Sequence, residues 1–130
     1  MRLKVYALGG ILEMRWEVEF TDEFGEWWET LDASEQASID IAVRLLEDRG
    51  PNLLFPFSSM IMTSRHSHMR ELRVQCRGEP YRVLYAFDPR RVAILLIGGG
   101  KAGNDRWYAQ RVPAADTLYD NHLRELGLEE

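Results

Sequence analysis

The stretch from Met69 to Asp88, MRELRVQCRGEPYRVLYAFD, decides the fold of this chain. Two runs rich in β-branched and aromatic residues flank the segment CRGE at 76–79, which predicts a β-hairpin with a loop of about four residues. Side chains alternate between the two faces of a strand. Leu72 and Val74 therefore share one face of the first strand, and Arg73 lies on the other face.

The register of this hairpin places two positive charges opposite each other. If Gln75 pairs with Pro80 across the loop, Arg73 lies directly opposite Arg82. Like charges that face each other across a ladder are destabilising, so the register predicts an anion between the two guanidinium groups. The alternative is a pair of solvated arginines on an exposed face of the sheet.

The composition predicts one compact domain. The chain has 130 residues and is 45% hydrophobic, which is enough to bury a core. No apolar run approaches the roughly 20 residues of a membrane span. The single cysteine, Cys76, excludes an internal disulfide and fits a reducing compartment such as the cytoplasm. We expect residues 15–130 to form the domain and residues 1–14 to be an extension of unclear role.

The charge is segregated along the chain, although the net charge is only −5. Residues 1–64 hold 5 Lys/Arg against 12 Asp/Glu, and residues 112–130 hold 1 against 5. Residues 65–111 hold 10 against 4. A basic block within an acidic chain indicates a site for a polyanion, unless the segregation arises by chance.

The first half of the chain predicts a strand and two helices. Apolar residues alternate with charged ones over residues 15–20, as in a half-buried strand. Thr21 is a suitable N-cap for a first helix, and a second helix runs from about Ala33 to Arg49. Both helices have acidic outer faces and form a helical hairpin. Residues 52–64 predict a loop with at most one short strand.

The second half predicts a central strand and a last helix. The uninterrupted apolar run from Val92 to Ile97 is typical of a strand covered on both faces. The glycine-rich segment 98–103 lacks the spacing and the Ser/Thr of a nucleotide-binding P-loop. We interpret it as a flexible loop that presents Lys101. Pro113 is predicted as the first residue of the final helix.

Two histidines lie beside an arginine in the segment RHSH at 65–68. A pair of histidines two residues apart can ligate a metal, but no third ligand has suitable spacing in the sequence. Imidazoles beside arginines more often contact phosphate or lie in a loop. The sequence therefore predicts neither a metal site nor a cofactor.

Several motifs together resemble a known family. The strings WEVEFTDEFGEWWETL, RHSHMRELRV, PYRVLYAFDPRRVAILLIGG and KAGNDRWY resemble the HigB-like, phage-associated branch of the RelE/ParE toxin superfamily. The resemblance covers residues 15–126. It implies an α+β fold: a small curved antiparallel sheet with an N-terminal helical hairpin on one face, and a C-terminal helix.

The resemblance also implies a function. Toxins of this kind belong to type II toxin-antitoxin systems and inhibit growth by cleaving mRNA, usually on the translating ribosome. The implied partners are mRNA, the ribosome and a cognate antitoxin that is a small helix-turn-helix protein. No membrane partner is implied, and the oligomeric state stays open.

RNA cleavage assigns roles to particular residues. The 2′-hydroxyl attacks the adjacent phosphorus, so catalysis needs a base, a clamp for the charge on phosphorus and an acid for the leaving oxygen. Arg73 and Arg82 are predicted as the clamp, because guanidinium groups fork onto two oxygens. Lys101 is predicted either as the base or as a further clamp, and Tyr108 or His66 as the acid.

Further basic residues are expected to hold the RNA strand. These predicted RNA-binding residues are Arg65, His66, Arg70 and Arg106. Two rival functions stay open: a non-catalytic inhibitor of DNA gyrase, as on the ParE-like side of the superfamily, and an inactive nucleic-acid-binding relative. Cleavage is favoured because Arg73, Arg82 and Lys101 lie in one basic block.

Overall fold

The computed structural model describes residues 2–3 and 15–127, which form three helices and six strands. The strands are β1 (Arg2–Leu3), β2 (Val18–Phe20), β3 (Ser58–Met60), β4 (Arg70–Cys76), β5 (Glu79–Phe87) and β6 (Ala93–Gly100). The helices are α1 (Asp22–Glu29), α2 (Ala33–Arg49) and α3 (Trp107–Glu125). The expected extension at residues 1–14 lies outside the described residues, apart from β1.

The strands form one mixed sheet in the order β1-β2-β6-β5-β4-β3. All neighbouring strands are antiparallel except β2 and β6, which run parallel. The predicted α+β class with a C-terminal helix is therefore confirmed, and the parallel pair is the one departure from an antiparallel sheet. A hairpin reveals its own direction in the sequence, whereas the pairing of β2 with β6 spans most of the chain and has no local signal.

The predicted register of the β4–β5 hairpin is confirmed. Gln75 pairs with Pro80, and Arg73 pairs with Arg82. The loop is shorter than expected, because Cys76 and Glu79 also pair and leave only two residues in the turn. Arg77 and Gly78, the two turn residues, have φ angles of 52° and 79°. Two successive positive φ angles are typical of the type I′ turn that matches the twist of a hairpin.

The helical hairpin packs on one face of the sheet, as predicted. The Thr21 hydroxyl accepts a hydrogen bond from the backbone of Phe24 and caps α1. Asp32 and Glu35 form a reciprocal capping box at the start of α2. Together these caps fix where both helices begin. The buried core on this face combines helix and strand residues: Phe24, Ile39, Val43, Leu46, Leu72, Val74, Val83, Tyr85 and Leu95.

Helix α3 covers the other face and begins six residues before Pro113, so the prediction that Pro113 starts the last helix is wrong. A proline within a helix removes a hydrogen bond and costs about 3 kcal/mol. The earlier start is stabilised by Trp107, which is completely buried. Asn104 also accepts hydrogen bonds from the backbone of Arg106 and of Trp107. Burial of the indole thus outweighs the local signal of the proline.

The glycine run belongs to β6 rather than to a flexible loop, because β6 continues through Gly100. A Cβ atom on Gly98 would lie 2.2 Å from the ring of Trp27, and one on Gly99 would lie 2.8 Å from the indole nitrogen of Trp107. One tryptophan comes from the helical hairpin and the other from α3. The glycines therefore let a large aromatic ring approach the end of β6 from each side. Lys101 follows directly after this strand.

Candidate functional site

The candidate site lies on the α3 face of the β4–β5 hairpin. Alternation along β4 places Leu72 in the core beneath the helical hairpin and Glu71 and Arg73 on the opposite face. Arg82 lies on that same face of β5, beside Leu84, which packs in the core beneath α3. The hairpin register thus brings two arginines and one glutamate together.

The carboxylate of Glu71 lies between the two arginines. Its Oε2 accepts a hydrogen bond from Arg73 Nη1 at 3.3 Å, and its Oε1 lies 3.4 Å from Arg82 Nε. Glu71 and Arg82 are 4% and 7% exposed, whereas the side chain of Arg73 is 30% exposed. The anion that the opposed arginines predicted is therefore supplied in part by the protein itself. Arg73 is the more accessible cation of the pair.

Two hydroxyl groups complete the surroundings of Glu71. Ser59 donates to Oε2 at 2.5 Å, and Tyr108 donates to Oε1 at 2.7 Å. Arg82 Nε also donates to the Tyr108 hydroxyl at 3.3 Å. Burial and the hydrogen bond to Glu71 raise the pKa of Tyr108, and Arg82 only partly opposes this effect. Tyr108 therefore holds its proton at neutral pH, as a proton donor must.

Lys101 lies at the edge of this cluster. Its ammonium nitrogen is 5.5 Å from the centre of the Tyr108 ring, within the range of a cation–π contact. Arg106 is exposed in the segment between Lys101 and α3. The structure thus brings together all four predicted catalytic residues, Arg73, Arg82, Lys101 and Tyr108. Of the four predicted RNA-binding residues, Arg106 lies in the segment 101–108, which contains the catalytic candidates Lys101 and Tyr108.

Two of the predicted RNA-binding residues lie elsewhere. Arg65 donates to Asp120 at 2.5 Å, and His66 Nε2 lies 2.8 Å from the same carboxylate. These bonds hold the pKa of Asp120 below its usual value, with Arg65 as the main cause. Asp120 is twelve residues after Tyr108 on α3, roughly 18 Å along the helix axis. His66 is therefore not placed to donate a proton at the arginine pair.

Arg70 lies on β4 but on the face opposite to Glu71. It pairs with Tyr85, a residue of the core beneath the helical hairpin, and it donates to the backbone oxygen of Pro51 at 2.9 Å. Within residues 15–127, no three His, Cys, Asp or Glu side chains are grouped so that they could hold a metal ion. The chemistry available at the site is therefore that of hydroxyls, guanidinium groups, a carboxylate and an amine.

Glu71 is the residue of the candidate site that the sequence analysis did not single out. The sequence does indicate its position, because Glu71 lies two residues before Arg73 and therefore shares a strand face with it. The hairpin register predicted an anion between Arg73 and Arg82 but did not show that Glu71 supplies it. Ser59 could not have been assigned, because its contact with Glu71 depends on the pairing of the short strand β3 with β4.

An exposed apolar surface adjoins the site. The ring of Phe55 is 70% exposed, and its centre lies 5.0 Å from the guanidinium carbon of Arg73. Further large apolar side chains are exposed along the same segment and β3, and we call the whole set the β3 patch: Leu54, Phe55, Phe57, Met60 and Met62. Exposed apolar surface of this kind is typical of a protein–protein contact.

Among the described residues, no helix combines the length and the apolar character needed to cross a membrane. The fold and the site together define a class of protein: a small α+β domain whose helical hairpin covers one sheet face, with an arginine–glutamate cluster on the other. The chain belongs to the family described as phage derived protein Gp49-like (DUF891), whose model matches residues 26–120.

Two proteins of Mycobacterium tuberculosis (strain ATCC 25618 / H37Rv) are similar to this chain. One is named "Putative toxin HigB3" and is 44% identical over 98 residues, which is 75% of this chain and 84% of the relative. The other is named "Putative toxin HigB2" and is 37% identical over 106 residues, which is 80% of this chain. This chain spans only about half of HigB2, because the match covers 53% of that protein.

Proposed function

We propose that this protein is the toxin of a type II toxin-antitoxin system and that it inhibits growth by metal-independent cleavage of mRNA on the translating ribosome. The observation that carries the proposal is the pair Arg73–Arg82 around Glu71, with Tyr108 and Lys101 beside it. The family and the toxin names of the two relatives support the same function. An activity on translated mRNA would take place in the cytoplasm.

The proposed reaction is an internal transesterification. The 2′-oxygen forms a bond to phosphorus, the bond from phosphorus to the 5′-oxygen breaks, and the products are a cyclic phosphate and a free 5′-hydroxyl. Arg73 binds the non-bridging oxygens, since its guanidinium is partly exposed and can fork onto two of them. Arg82 is largely buried, and its positive charge stabilises the negative charge on the phosphate from within the protein.

The same geometry assigns the protons. Tyr108 gives its proton to the leaving 5′-oxygen, since its raised pKa keeps it protonated and Arg82 contacts its hydroxyl. Lys101 either takes the proton of the 2′-hydroxyl or binds a further phosphate oxygen. General acid–base help of this kind contributes roughly 10²–10⁴-fold to a rate. Arg106 would hold the strand next to the site.

The proposed partner is a cognate antitoxin, which we expect to be a small helix-turn-helix protein. It would silence the toxin by covering Arg73, Arg82 or Lys101 with acidic side chains. Phe55 of the β3 patch contacts Arg73, so one partner could bind both the apolar surface and the catalytic charge. Arg65, His66 and Arg70 stay predictions as RNA-binding residues outside the cluster.

The proposal is tested by mapping the 5′ ends of transcripts after induction of the wild-type protein and of an Arg73→Ala/Arg82→Ala double variant. The wild type should create new 5′-hydroxyl ends within translated regions, and the double variant should create none. Glu79→Ala at the exposed end of the hairpin is the matched control and should cleave normally. A chelator should leave cleavage unchanged.

Three outcomes would contradict the proposal. Cleavage that persists in the double variant would exclude the arginine pair as the catalytic charge. Growth inhibition without new RNA ends would favour the rival function, a non-catalytic inhibitor of DNA gyrase. A wild-type protein that neither inhibits growth nor cleaves RNA would favour the other rival, an inactive nucleic-acid-binding relative.

A further inference from the structure

A second basic site lies in a cavity away from the Glu71 cluster. The cavity has a volume of about 550 Å³. It lies at the end of β5, between Trp16, which precedes β2, and Tyr119 in the second half of α3. Its walls include three aromatic residues, Trp16, Phe87 and Tyr119. Three basic side chains also line it: His68, Arg70 and Arg91. Arg82 and Phe87 are five residues apart on β5, so roughly 17 Å separates the two sites along the strand.

The two arginines of this cavity differ from five of the seven other arginines within residues 65–111. Arg65, Arg73, Arg77, Arg82 and Arg90 each form an ion pair with a carboxylate. Neither Arg70 nor Arg91 has such a partner within residues 15–127. Arg70 donates one hydrogen bond to the Pro51 backbone and also contacts the hydroxyl of Tyr85, so only its remaining guanidinium donors are available to a ligand.

Asp88, the one acid among the described residues that line the cavity, does not neutralise these arginines. Asp88 is buried, and its Oδ2 accepts hydrogen bonds from Arg90 at 2.7 Å and contacts His122 at 2.8 Å. Its Oδ1 accepts from the backbone of Arg90 and of Val92. Because Asp88 is committed to these four groups, the cavity keeps an excess of positive charge.

Arg91 is held over the aromatic wall by its backbone. Its φ angle is 67°, an uncommon conformation for a residue other than glycine. A turn fixes this conformation, because the backbone N–H of Arg91 donates to the backbone carbonyl oxygen of Asp88 at 2.7 Å. The guanidinium carbon lies 4.9 Å from the centre of the Trp16 ring, on which it is stacked. This cation–π contact holds the guanidinium group at the wall of the cavity before any ligand binds.

We propose that this cavity binds a nucleotide unit, with its phosphate on Arg70 and Arg91 and its base against the aromatic wall. Two arginines that have no carboxylate partner can fork onto phosphate oxygens, and the aromatic wall suits the flat face of a base. A volume of about 550 Å³ lies within the usual range for a small-molecule site. The unit can belong to an RNA strand or to a free nucleotide, since the recognised chemistry is the same.

The test compares the two sources. Titrations of the purified full chain with adenosine monophosphate, with inorganic phosphate and with a labelled oligoribonucleotide should be followed by calorimetry or fluorescence anisotropy. The host for every titration is Tyr108→Phe, which keeps the RNA intact if the proposed cleavage is real. Binding in the cavity does not require cleavage, so an inactive protein would not affect this test.

Arg70→Gln and Arg91→Gln should each weaken nucleotide binding by at least about tenfold, since each removes a charge-assisted hydrogen bond to phosphate. Arg44→Gln on α2 is the matched control, because it removes the same charge from an exposed site outside the cavity. Thermal unfolding should verify that all three variants are folded.

Each result has a defined meaning. Binding of the monophosphate that depends on Arg70 and Arg91 supports a site for a free nucleotide. Binding of the oligoribonucleotide alone, with the same dependence, supports a contact with the RNA strand. Affinity for inorganic phosphate equal to that for the nucleotide would overturn the role of the aromatic wall. Binding that does not change in either arginine variant would overturn the site.

Discussion

Arg73 and Arg82 lie directly opposite each other across the β4–β5 ladder, and the carboxylate of Glu71 contacts both. A pair of like charges in this position is destabilising, and Glu71 compensates for it. The buried glutamate therefore stabilises the fold and also neutralises part of the charge that a phosphate would meet. These two effects can be separated by replacing the carboxylate with an amide.

Glu71→Gln should lower the free energy of unfolding by about 1–3 kcal/mol, because two cations lose their counter-charge while the shape of the side chain is kept. Urea denaturation of both proteins measures the difference. Glu79→Gln, at the exposed end of β5, should change stability by less than about 0.5 kcal/mol. An unchanged midpoint for Glu71→Gln would show that the arginines are solvated and need no internal anion.

Arg73→Ala should reduce RNA cleavage by about 10²–10³-fold, by analogy with the loss of one donor to a developing oxyanion. Its fold should persist, because Arg73 is partly exposed. Arg73→Lys should restore only part of the rate, since an ammonium group cannot fork across two oxygens. The measurement is the initial rate of cleavage of translated mRNA. Full activity of Arg73→Lys would contradict bidentate binding.

Arg82→Ala should differ from Arg73→Ala in its effect on stability. Arg82 is buried and donates to the backbone oxygen of Tyr81 at 3.0 Å and to Tyr108 at 3.3 Å. Its removal should therefore lower the unfolding midpoint as well as the cleavage rate. Equal midpoints for the two alanine variants would contradict this difference in burial.

The local parts of the fold and site could be predicted from the sequence. The opposed arginines followed from alternation within one hairpin, and the end of α2 at Arg49 followed from the Gly50-Pro51 pair, which stops a helix. Lys101 was predicted from the glycine-rich segment before it, and Tyr108 from the need of RNA cleavage for an acid. That both lie near Glu71 could not be predicted, because no local pattern shows that α3 and β6 meet there. The positions of Arg65 and His66 depend on Asp120, which is more than fifty residues away.

The start of α3 could not be predicted for a related reason. Pro113 carries a strong local signal for the first turn of a helix. The burial of Trp107 against Gly99 is a tertiary effect, and it has no trace in the sequence around the proline. The glycine run was likewise assigned to a loop, because no local pattern shows that Trp27 of α1 and Trp107 of α3 pack against it.

Gly99→Ala should destabilise the protein by about 1–3 kcal/mol, the usual cost of overpacking a core. The new methyl group would lie 2.8 Å from the indole nitrogen of Trp107, which is fully buried. Gly100→Ala in the same strand is the control, since its methyl group would meet only Tyr81, at 3.7 Å. Thermal unfolding measures both. Equal destabilisation would show that strand flexibility, rather than space for the indole, explains the glycines.

Asp88 should make stability depend on pH in the acid range. Burial alone raises the pKa of this carboxyl, but hydrogen bonds from His122 and Arg90 outweigh burial and hold the pKa below its usual value. Its contribution is therefore complete above the pKa of the unfolded chain, about 3.9, and is lost as the pH falls through the lower folded value. The unfolding free energy of the wild type should decrease below about pH 4.

Asp88→Asn should be less stable at pH 7 and should lose less stability on acidification than the wild type. Urea midpoints between pH 3 and 7 measure the difference between the two proteins. Asp120→Asn is a useful comparison, because the pKa of Asp120 is also lowered, by Arg65, at a more exposed position. Parallel pH profiles for the wild type and Asp88→Asn would contradict the assignment.

Tyr108→Phe should lower the cleavage rate by about 10²–10⁴-fold if its hydroxyl protonates the leaving oxygen. The raised pKa of Tyr108 keeps the hydroxyl protonated throughout the neutral range, so its loss should not introduce a new step in the pH profile between pH 6 and 8.

A substrate with sulfur in place of the leaving 5′-oxygen separates the two possible roles of the Tyr108 hydroxyl. A thiolate leaves without being protonated, so the variant should cleave this substrate at nearly the wild-type rate. Arg73→Ala should stay slow on the same substrate, because the charge on phosphorus still needs a partner. A Tyr108→Phe variant that stays equally slow would show that the hydroxyl only positions Glu71 and Arg82.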